Sequence, residues 1–131
     1  MAVLASPNAH SRGAMTLPNL LLRLEAAILL AASLIVYGTI SGDWLAFALL
    51  LFVPDLSAIG YLVNVRIGSL SYNLIHTYAL PILLFAAGWA LSVPVLLPLA
   101  TIWFAHISMD RILGYGLKYP TIFKDTHLQR V

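Results

Sequence analysis

Hydrophobic residues in this chain are gathered into four long runs. Each run is close to the about 20 residues that a helix needs to cross the hydrocarbon core of a bilayer. Short stretches of polar or turn-forming residues separate the runs, and this pattern predicts four transmembrane helices joined by short loops. The predicted helices cover residues 20–40, 44–63, 70–91 and 95–113, and the loops cover residues 41–43, 64–68 and 92–94.

The segments outside these runs contain more polar residues, glycine and proline. We therefore divide the chain into a flexible N-terminal arm (1–19), a four-helix transmembrane domain (20–113) and a C-terminal tail (114–131). Met15 is an alternative to Met1 as the true first residue. We expect the tail to be solvated, because chain termini are usually poorly ordered. The alternative is that residues 125–127 fold back under the helices and join a site there.

The amino-acid composition indicates a protein that is surrounded by lipid. Its residues are 61% hydrophobic and 9% charged, whereas a soluble domain carries about 25% charged residues. We predict an all-α polytopic membrane protein, a four-transmembrane-helix bundle, with the lipid bilayer as its surroundings. The net charge of +2 comes without a basic run, so no nucleic-acid partner is expected. The absence of cysteine excludes disulfides and thiolate metal sites.

The positive charges predict the orientation. In the four-span arrangement all seven lysines and arginines fall on one side, and the two loops on the other side contain none. Because positively charged loops remain in the cytoplasm, we expect a multi-pass protein of the cell (inner) membrane with both termini cytoplasmic. The basic residues are Arg12, Arg23, Arg66, Arg111, Lys118, Lys124 and Arg130.

Polar residues interrupt the apolar runs at a common depth. An unpaired charge at mid-bilayer costs roughly 2.5–3.5 kcal/mol on insertion scales, so such groups must pair, bind a ligand or lose their charge. With a helical rise of about 1.5 Å per residue, most of them lie roughly 8–16 Å from the predicted cytoplasmic end of their helix. We therefore predict one shared site that opens toward the cytoplasm. The residues are Glu25, Asp55, Asn73, His76, His106 and Asp110.

Four of these residues form a plausible set of metal ligands. His106 and Asp110 are four residues apart, which places them on one face of a helix; Asp55 and His76 come from two other helices. Two imidazoles and two carboxylates suit one divalent metal, either zinc, manganese or iron. Glu25 or Asn73 would then act catalytically, by orienting a ligand or handling a proton. Two alternatives remain open: a buried network that only holds the helices together, and a path for protons or ions.

Several of these positions belong to longer motifs that resemble a known family. The motifs are Arg23-Leu24-Glu25, Pro54-Asp55-Leu56-Ser57, Tyr72-Asn73-Leu74-Ile75-His76-Thr77-Tyr78, His106-Ile107-Ser108-Met109-Asp110-Arg111, Gly114-Tyr115-Gly116-Leu117-Lys118-Tyr119 and Phe123-Lys124-Asp125-Thr126-His127-Leu128. Together they resemble the bacterial membrane family called domain of unknown function 4260, from about Leu20 to the C-terminus. The resemblance implies a membrane protein and carries no established activity.

A weaker similarity concerns chemistry. The order Pro54-Asp55, His76-Thr77 and His106 to Asp110 is similar to that of inner-membrane metal-dependent hydrolases, which implies hydrolysis of a lipid-like or amphipathic substrate. The chain departs from that pattern at Ser57, where a second aspartate is expected, and in the order of His76 and Thr77. The alternative function is a non-enzymatic small membrane protein, either a transporter subunit or an assembly factor, and possible assembly of several copies is left open by the sequence.

Overall fold

The computed structural model of this chain describes residues 15–118 and 126–130. The described residues form helices joined by short turns. The helices are α1 (Leu17–Ile40), α2 (Trp44–Leu50), a 3₁₀ helix (Val53–Leu62), α3 (Val65–Ile75), α4 (Ala79–Ala90), α5 (Leu96–Leu113) and a final short turn, α6 (His127–Arg130).

Three segments of the described chain are long and apolar enough to cross a bilayer: Leu17–Ile40, Trp44–Leu62 and Leu96–Leu113. Helices α3 and α4 pass the same test together, with a bend of 40° between them. The prediction of an all-α polytopic membrane protein is therefore confirmed, and the chain crosses four times if the bent pair is one span. The division into arm, bundle and tail stays a prediction, since residues 1–14 lie outside the described residues.

Capping residues explain where two of the helices begin. Helix α1 begins at Leu17, before the predicted start, because the side chain of Thr16 accepts the Asn19 amide and Pro18 occupies the first turn. Helix α3 begins at Val65, inside the predicted loop, because the Asn64 side chain accepts the amide of Ile67 at 2.8 Å.

Two spans depart from regular α-helix close to prolines. In the second span the chain changes to a 3₁₀ helix at Val53, directly before Pro54, which has no N–H to donate to an α-helical bond. Its ten residues exceed the usual length of such helices, and long 3₁₀ stretches often mark functional positions. The third span is interrupted at His76, the C-terminal cap of α3, and resumes at Ala79, two residues before Pro81. Both irregular segments carry a predicted ligand, Asp55 or His76.

Helix α5 is the centre of the fold. It packs along α1 and α4, while the 3₁₀ helix packs against α3. Ala100, Ala105 and Ile107 of α5 are almost completely buried. Large apolar side chains on the other helices, such as Leu45 and Leu62, are exposed, as expected for surfaces that face lipid. Among its buried residues α5 also carries five polar or charged ones: Thr101, His106, Ser108, Asp110 and Arg111.

The prediction of a solvated tail is wrong for the described tail residues. Helix α5 ends at Gly114, whose φ of +93° turns the chain back toward the bundle. Lys118 pairs with Thr126 in a short β-bridge, and both residues are buried. Leu128 is only 2% exposed. The tail folds back because it can bury an apolar side chain and satisfy backbone groups. The alternative prediction named residues 125–127 for this role, and of these Asp125 lies outside the described residues.

Hydrogen bonds from the helices hold this returning segment. The side chain of Asn73 donates to the Lys118 carbonyl at 2.7 Å and accepts the Lys118 amide at 2.6 Å. Asn19 donates to the carbonyl of Leu128 at 2.6 Å. Within the tail, Leu117 and His127 form two hydrogen bonds: the Leu117 amide donates to Nδ1 of His127, and the His127 amide donates to the Leu117 carbonyl. The tail therefore closes one end of the bundle.

Docking of the tail should depend on pH through His127. Burial lowers the pKa of His127, and the positive charge of Arg111 lowers it further. The docked imidazole is neutral, because its Nδ1 accepts the Leu117 amide. The docked state thus binds fewer protons than the undocked state, so docking should be complete above about pH 6.5 and weaken as the pH falls below it. Hydrogen exchange of the Leu117 amide, corrected for intrinsic pH dependence, measures this; a His127→Asn variant should lose the pH dependence.

Candidate metal centre

Four side chains from three helical segments meet at one point inside the bundle. They are Asp55 of the 3₁₀ helix, His76 at the end of α3, and His106 and Asp110 of α5. One ligand atom from each residue lies within 4.8 Å of the other three. The predicted convergence of these residues is therefore found in the structure, while the binding of a metal by them stays a prediction.

The contacts between the four residues are short, and each residue makes all of its contacts through a single atom. Nε2 of His106 lies 3.2 Å from Oδ1 of Asp55 and 3.2 Å from Oδ2 of Asp110. Nε2 of His76 lies 3.5 Å and 3.4 Å from the same two oxygens. The two Nε2 atoms are 3.1 Å apart. Each residue thus directs one potential ligand atom toward a common centre.

The break in the third span places His76. Where α3 ends, its last carbonyl groups lose their helical partners. Two side chains from α5 replace those partners: Nε1 of Trp103 donates to the Ile75 carbonyl at 2.6 Å, and Nη2 of Arg111 donates to the His76 carbonyl at 3.1 Å. Helix α5 therefore provides two of the four converging residues and also fixes the backbone that carries a third.

Contacts behind the imidazoles orient them. Nδ1 of His76 lies 2.9 Å from the carbonyl of Tyr72, which assigns the proton of the neutral ring to Nδ1 and leaves a lone pair on Nε2. The ring of Tyr72 stacks on that of His76 with centroids 3.7 Å apart, and its hydroxyl donates to Oδ2 of Asp110 at 3.5 Å. Nδ1 of His106 is buried beside the Leu51 backbone, and it forms no hydrogen bond of ordinary geometry within the described part of the chain.

The dimensions of the cluster fit a tetrahedral metal ion. Zinc binds nitrogen and carboxylate ligands at about 2.0–2.2 Å, which puts neighbouring ligands of a tetrahedron about 3.3–3.6 Å apart. The imidazole–carboxylate separations are 3.2–3.5 Å, the imidazole–imidazole separation is 3.1 Å, and the two carboxylate oxygens lie within 4.8 Å of each other. Small movements of these side chains would bring all four atoms to ligand distance of one ion.

The cluster is buried on three sides and open on one. The side chains of His106, His76 and Asp110 are 0%, 3% and 12% exposed, whereas that of Asp55 is 51% exposed. Ser57, one turn further along the 3₁₀ helix, lies beside His76, with Oγ 3.5 Å from Nδ1. A ligand would therefore approach the centre past Asp55.

Two cationic side chains lie close to the centre. Arg111 is buried, and its Nη1 makes no hydrogen bond within residues 15–118 and 126–130. Nζ of Lys118 lies 4.5 Å above the ring of Tyr72. Burial lowers the pKa of Lys118, while the charges of Asp110 and Asp55 act in the opposite direction. The two carboxylates thus have positive charge in their surroundings.

The two predicted catalytic residues lie elsewhere. Glu25 is exposed on α1, and it does not belong to the cluster of potential ligands found among the described residues. Asn73 is on α3, but both polar atoms of its side chain bind the backbone of Lys118. Their catalytic roles stay predictions, and the geometry offers them no direct contact with the four converging residues.

Sequence reasoning did not assign three residues around the centre, namely Tyr72, Ser57 and Lys118. A signal existed for Tyr72, which precedes His76 by four residues and therefore shares its helix face. Lys118 approaches the site only because the tail folds back, and no spacing along the chain indicates that.

Comparisons with other proteins give a family and no activity. No curated protein and no solved structure matches the chain. The similarity to metal-dependent hydrolases therefore stays an expectation from the sequence. One family profile matches residues 19–131, which is most of the chain and includes all four converging residues. The chain belongs to the family described as domain of unknown function (DUF4260).

Proposed function

We propose that this chain is a membrane metalloenzyme of the hydrolase class, in which Asp55, His76, His106 and Asp110 hold one divalent metal ion. One observation carries the proposal. Two imidazole nitrogens and two carboxylate oxygens, from three helical segments, face each other at separations of 3.1–3.5 Å between the measured pairs. These atoms repel each other unless His106 donates a proton to its neighbours or a divalent cation lies between them, and only the cation satisfies all four at once.

The donor atoms limit the choice of metal. Two imidazole nitrogens and two carboxylate oxygens are suited to zinc, manganese or ferrous iron, and they are not a calcium or magnesium site of oxygen ligands alone. The departure at Ser57 from the hydrolase pattern removes one expected carboxylate. We therefore propose a single metal ion and not a pair.

The open side of the centre supports a catalytic role over a purely structural one. Structural metal sites are closed by protein ligands, whereas catalytic sites keep access for water and substrate. Here four protein ligands would fill a tetrahedral site, so water or substrate would bind as a fifth ligand or in place of the half-exposed Asp55. A divalent metal held by these residues would supply Lewis-acid polarisation of an ester or phosphoester oxygen. The stacked Tyr72 keeps His76 oriented and donates to Asp110, so the ligands are held before substrate arrives.

A structural network without metal is the competing account. Arg111 and Lys118 already provide two positive charges near the two carboxylates. In that account one of the two Nε2 atoms, which are 3.1 Å apart, must donate a hydrogen bond to the other. His106 would be the donor, and its buried Nδ1 would then be an acceptor that receives no hydrogen bond. Metal content separates the two accounts directly.

The experiment is metal analysis of the full chain purified from membranes in mild detergent without added metal. We expect about one zinc, manganese or iron ion per chain. Removal with a chelator should lower the thermal stability, and restoring the ion should recover it, because metal bound only by the folded chain adds its binding energy to folding. A protein free of metal, with no change in stability when chelator or metal is added, would refute the proposal.

We also propose that both termini face the cytoplasm, because all seven basic residues of the sequence fall on one side of the four-span arrangement predicted from it. The chain has no cysteine, so single cysteines can report topology. Cysteine at Gly42 or Ser92 should react with an impermeant thiol reagent added to intact cells. Cysteine at Val63, which is exposed beside the turn between the second and third spans, or at Gln129 should react only after the membrane is permeabilised. Labelling of Val63→Cys in intact cells would reverse the orientation.

A further inference from the structure

An apolar cavity of about 520 Å³ lies beside the candidate metal centre, and its wall contains none of the four converging residues themselves. Pro54 and Ser57, one residue before and two residues after Asp55 on the 3₁₀ helix, form part of its wall, and so does Ile75, the residue before His76. Its volume lies within the range of about 300–1,000 Å³ that is usual for pockets binding small ligands. The remaining wall is apolar apart from the indole of Trp103, and consists of Leu50, Val53, Leu56, Leu84, Leu99 and Ile102.

The cavity leads from the centre toward the middle of the bilayer. On α5, Leu99 and Ile102 precede His106, and seven residues of helix place Leu99 about 10 Å from His106 along the axis. On the second span, Leu50 lies on the same side of Asp55. His106 is itself about 10 Å from the end of α5 that joins the tail. The centre thus lies nearer the membrane surface and the cavity nearer the middle of the bilayer. The headgroup and the acyl chain of a lipid have the same order in the leaflet on the side of the C-terminal tail.

The charges around the centre favour an anionic headgroup. A divalent metal would neutralise Asp55 and Asp110. Arg111 is 9% exposed, donates to the His76 carbonyl, and has no carboxylate within ion-pair distance in the described part of the chain. Its Nη1 is buried without a hydrogen-bond partner there. With the metal bound, the positive charge of Arg111 is left in excess, and a buried cation is stable only with an anion nearby.

We infer that the substrate is an amphiphile with one alkyl chain in this cavity and an anionic headgroup, such as a phosphate ester, at the metal centre. This inference rests on the proposed function for the position of the metal. A second apolar cavity of about 360 Å³, lined by residues such as Ile82 and Phe85 of α4, has no lining residue next in sequence to any of the four converging residues. It serves as an internal comparison.

The test uses protein reconstituted in phosphatidylcholine vesicles and dodecyl phosphate with a photoreactive diazirine at the end of its chain. Cross-links mapped by peptide mass spectrometry should concentrate at Leu50, Leu84 and Leu99. Leu84→Trp, which fills the cavity, should reduce this labelling about tenfold. A tenfold loss of binding corresponds to roughly two methylene groups of the alkyl chain that can no longer be buried. Ile82→Trp makes the same change on α4 at the second cavity and should leave the labelling unchanged.

Competition identifies the headgroup. An excess of unlabelled dodecyl phosphate should abolish the cavity cross-links, whereas dodecyl maltoside and inorganic phosphate should not. Equal competition by the maltoside would overturn the anionic headgroup. Uniform labelling of all lipid-facing helices, or no effect of Leu84→Trp, would overturn the role of the cavity. Metal content is measured on the same preparation: a metal-loaded protein with uniform labelling refutes this inference alone, and a protein that holds no metal refutes the proposed function.

Discussion

His106→Ala and Asp110→Asn should each abolish metal binding and the dependence of thermal stability on metal. Both residues contribute an atom that lies 3.1–3.4 Å from its neighbours in the cluster, and both are almost fully buried. Losing one of four ligands removes most of the affinity. At metal concentrations of 100 to 1,000 times Kd, the bound ion stabilises a fold by about 2.7–4.1 kcal/mol, and this contribution should disappear in both variants.

A comparison of two proteins under two conditions distinguishes a metal site from a buried polar network without metal. Wild-type protein and Asp110→Asn are melted with and without chelator. If a metal holds the site, chelator lowers the melting temperature of wild type and leaves Asp110→Asn unchanged. If the residues form only a network, chelator affects neither protein, and the variant is less stable in both conditions. Asparagine keeps the shape of aspartate, so packing changes little.

Thr101→Val is the matched control on the same helix. Thr101 is buried on α5, and its hydroxyl donates only to the Leu97 carbonyl of its own helix, at 2.8 Å. The substitution keeps the volume and removes a buried polar group without approaching the centre. It should keep the metal and the full response to chelator. Loss of metal from Thr101→Val would mean that metal retention reports general destabilisation of α5.

The four converging residues could be found from sequence because helices convert residue number into depth. The count of residues from the end of each span predicts that Asp55, His76 and His106 lie in one layer. The structure brings them together although Asp55 lies in a 3₁₀ helix and not in an α-helix. For His106 and Asp110 the spacing alone was sufficient, because residues four apart lie on the same face of an α-helix.

Rotation about the helix axis explains why depth alone groups Glu25 with these residues, although Glu25 is exposed on α1. Depth says nothing about which way a side chain points. The buried face of α1 is defined by Ala26, Ser33 and Tyr37, and Glu25 lies off that face toward the surroundings. A helix with few polar residues offers little in its pattern to fix its rotation, so packing against α5 decides it.

The docked tail was beyond prediction for a different reason. Its contacts join residues far apart in sequence: the side chain of Asn73 to the backbone of Lys118, and that of Asn19 to the backbone of Leu128. A backbone group is present at every position, so a hydrogen bond to it leaves no pattern in the sequence. Asn73 was therefore interpreted as a site residue, although its observed contacts hold the segment that carries Lys118 near the centre.

Gly60→Ala and Gly68→Ala should destabilise the protein and weaken metal retention together. The 3₁₀ helix and α3 pack closely at these glycines. A Cβ at Gly60 would lie 3.1 Å from Cα of Gly68 and 3.1 Å from the Ile67 carbonyl oxygen, and would overlap Oγ of Ser71. A Cβ at Gly68 would overlap the ring of Tyr61. At Gly60 two of the close atoms are backbone, which cannot move aside, and at Gly68 the base of the Tyr61 ring must shift, so each substitution should cost about 1–3 kcal/mol.

Separation of these two helices should reach the metal centre, because Asp55 is carried by the 3₁₀ helix and His76 ends α3. Gly38→Ala provides the matched control within α1, where the nearest contact of a new Cβ is Cζ2 of Trp44 at an ordinary 3.6 Å. Alanine there should be neutral or stabilising by up to about 1 kcal/mol, since it is the better helix former. We expect thermal melting and metal titration to rank Gly38→Ala at or above wild type and both other variants below it. Equal stability and equal metal affinity in all three variants would mean that the 3₁₀ helix and α3 are not in close contact, and that the position of Asp55 does not depend on their packing.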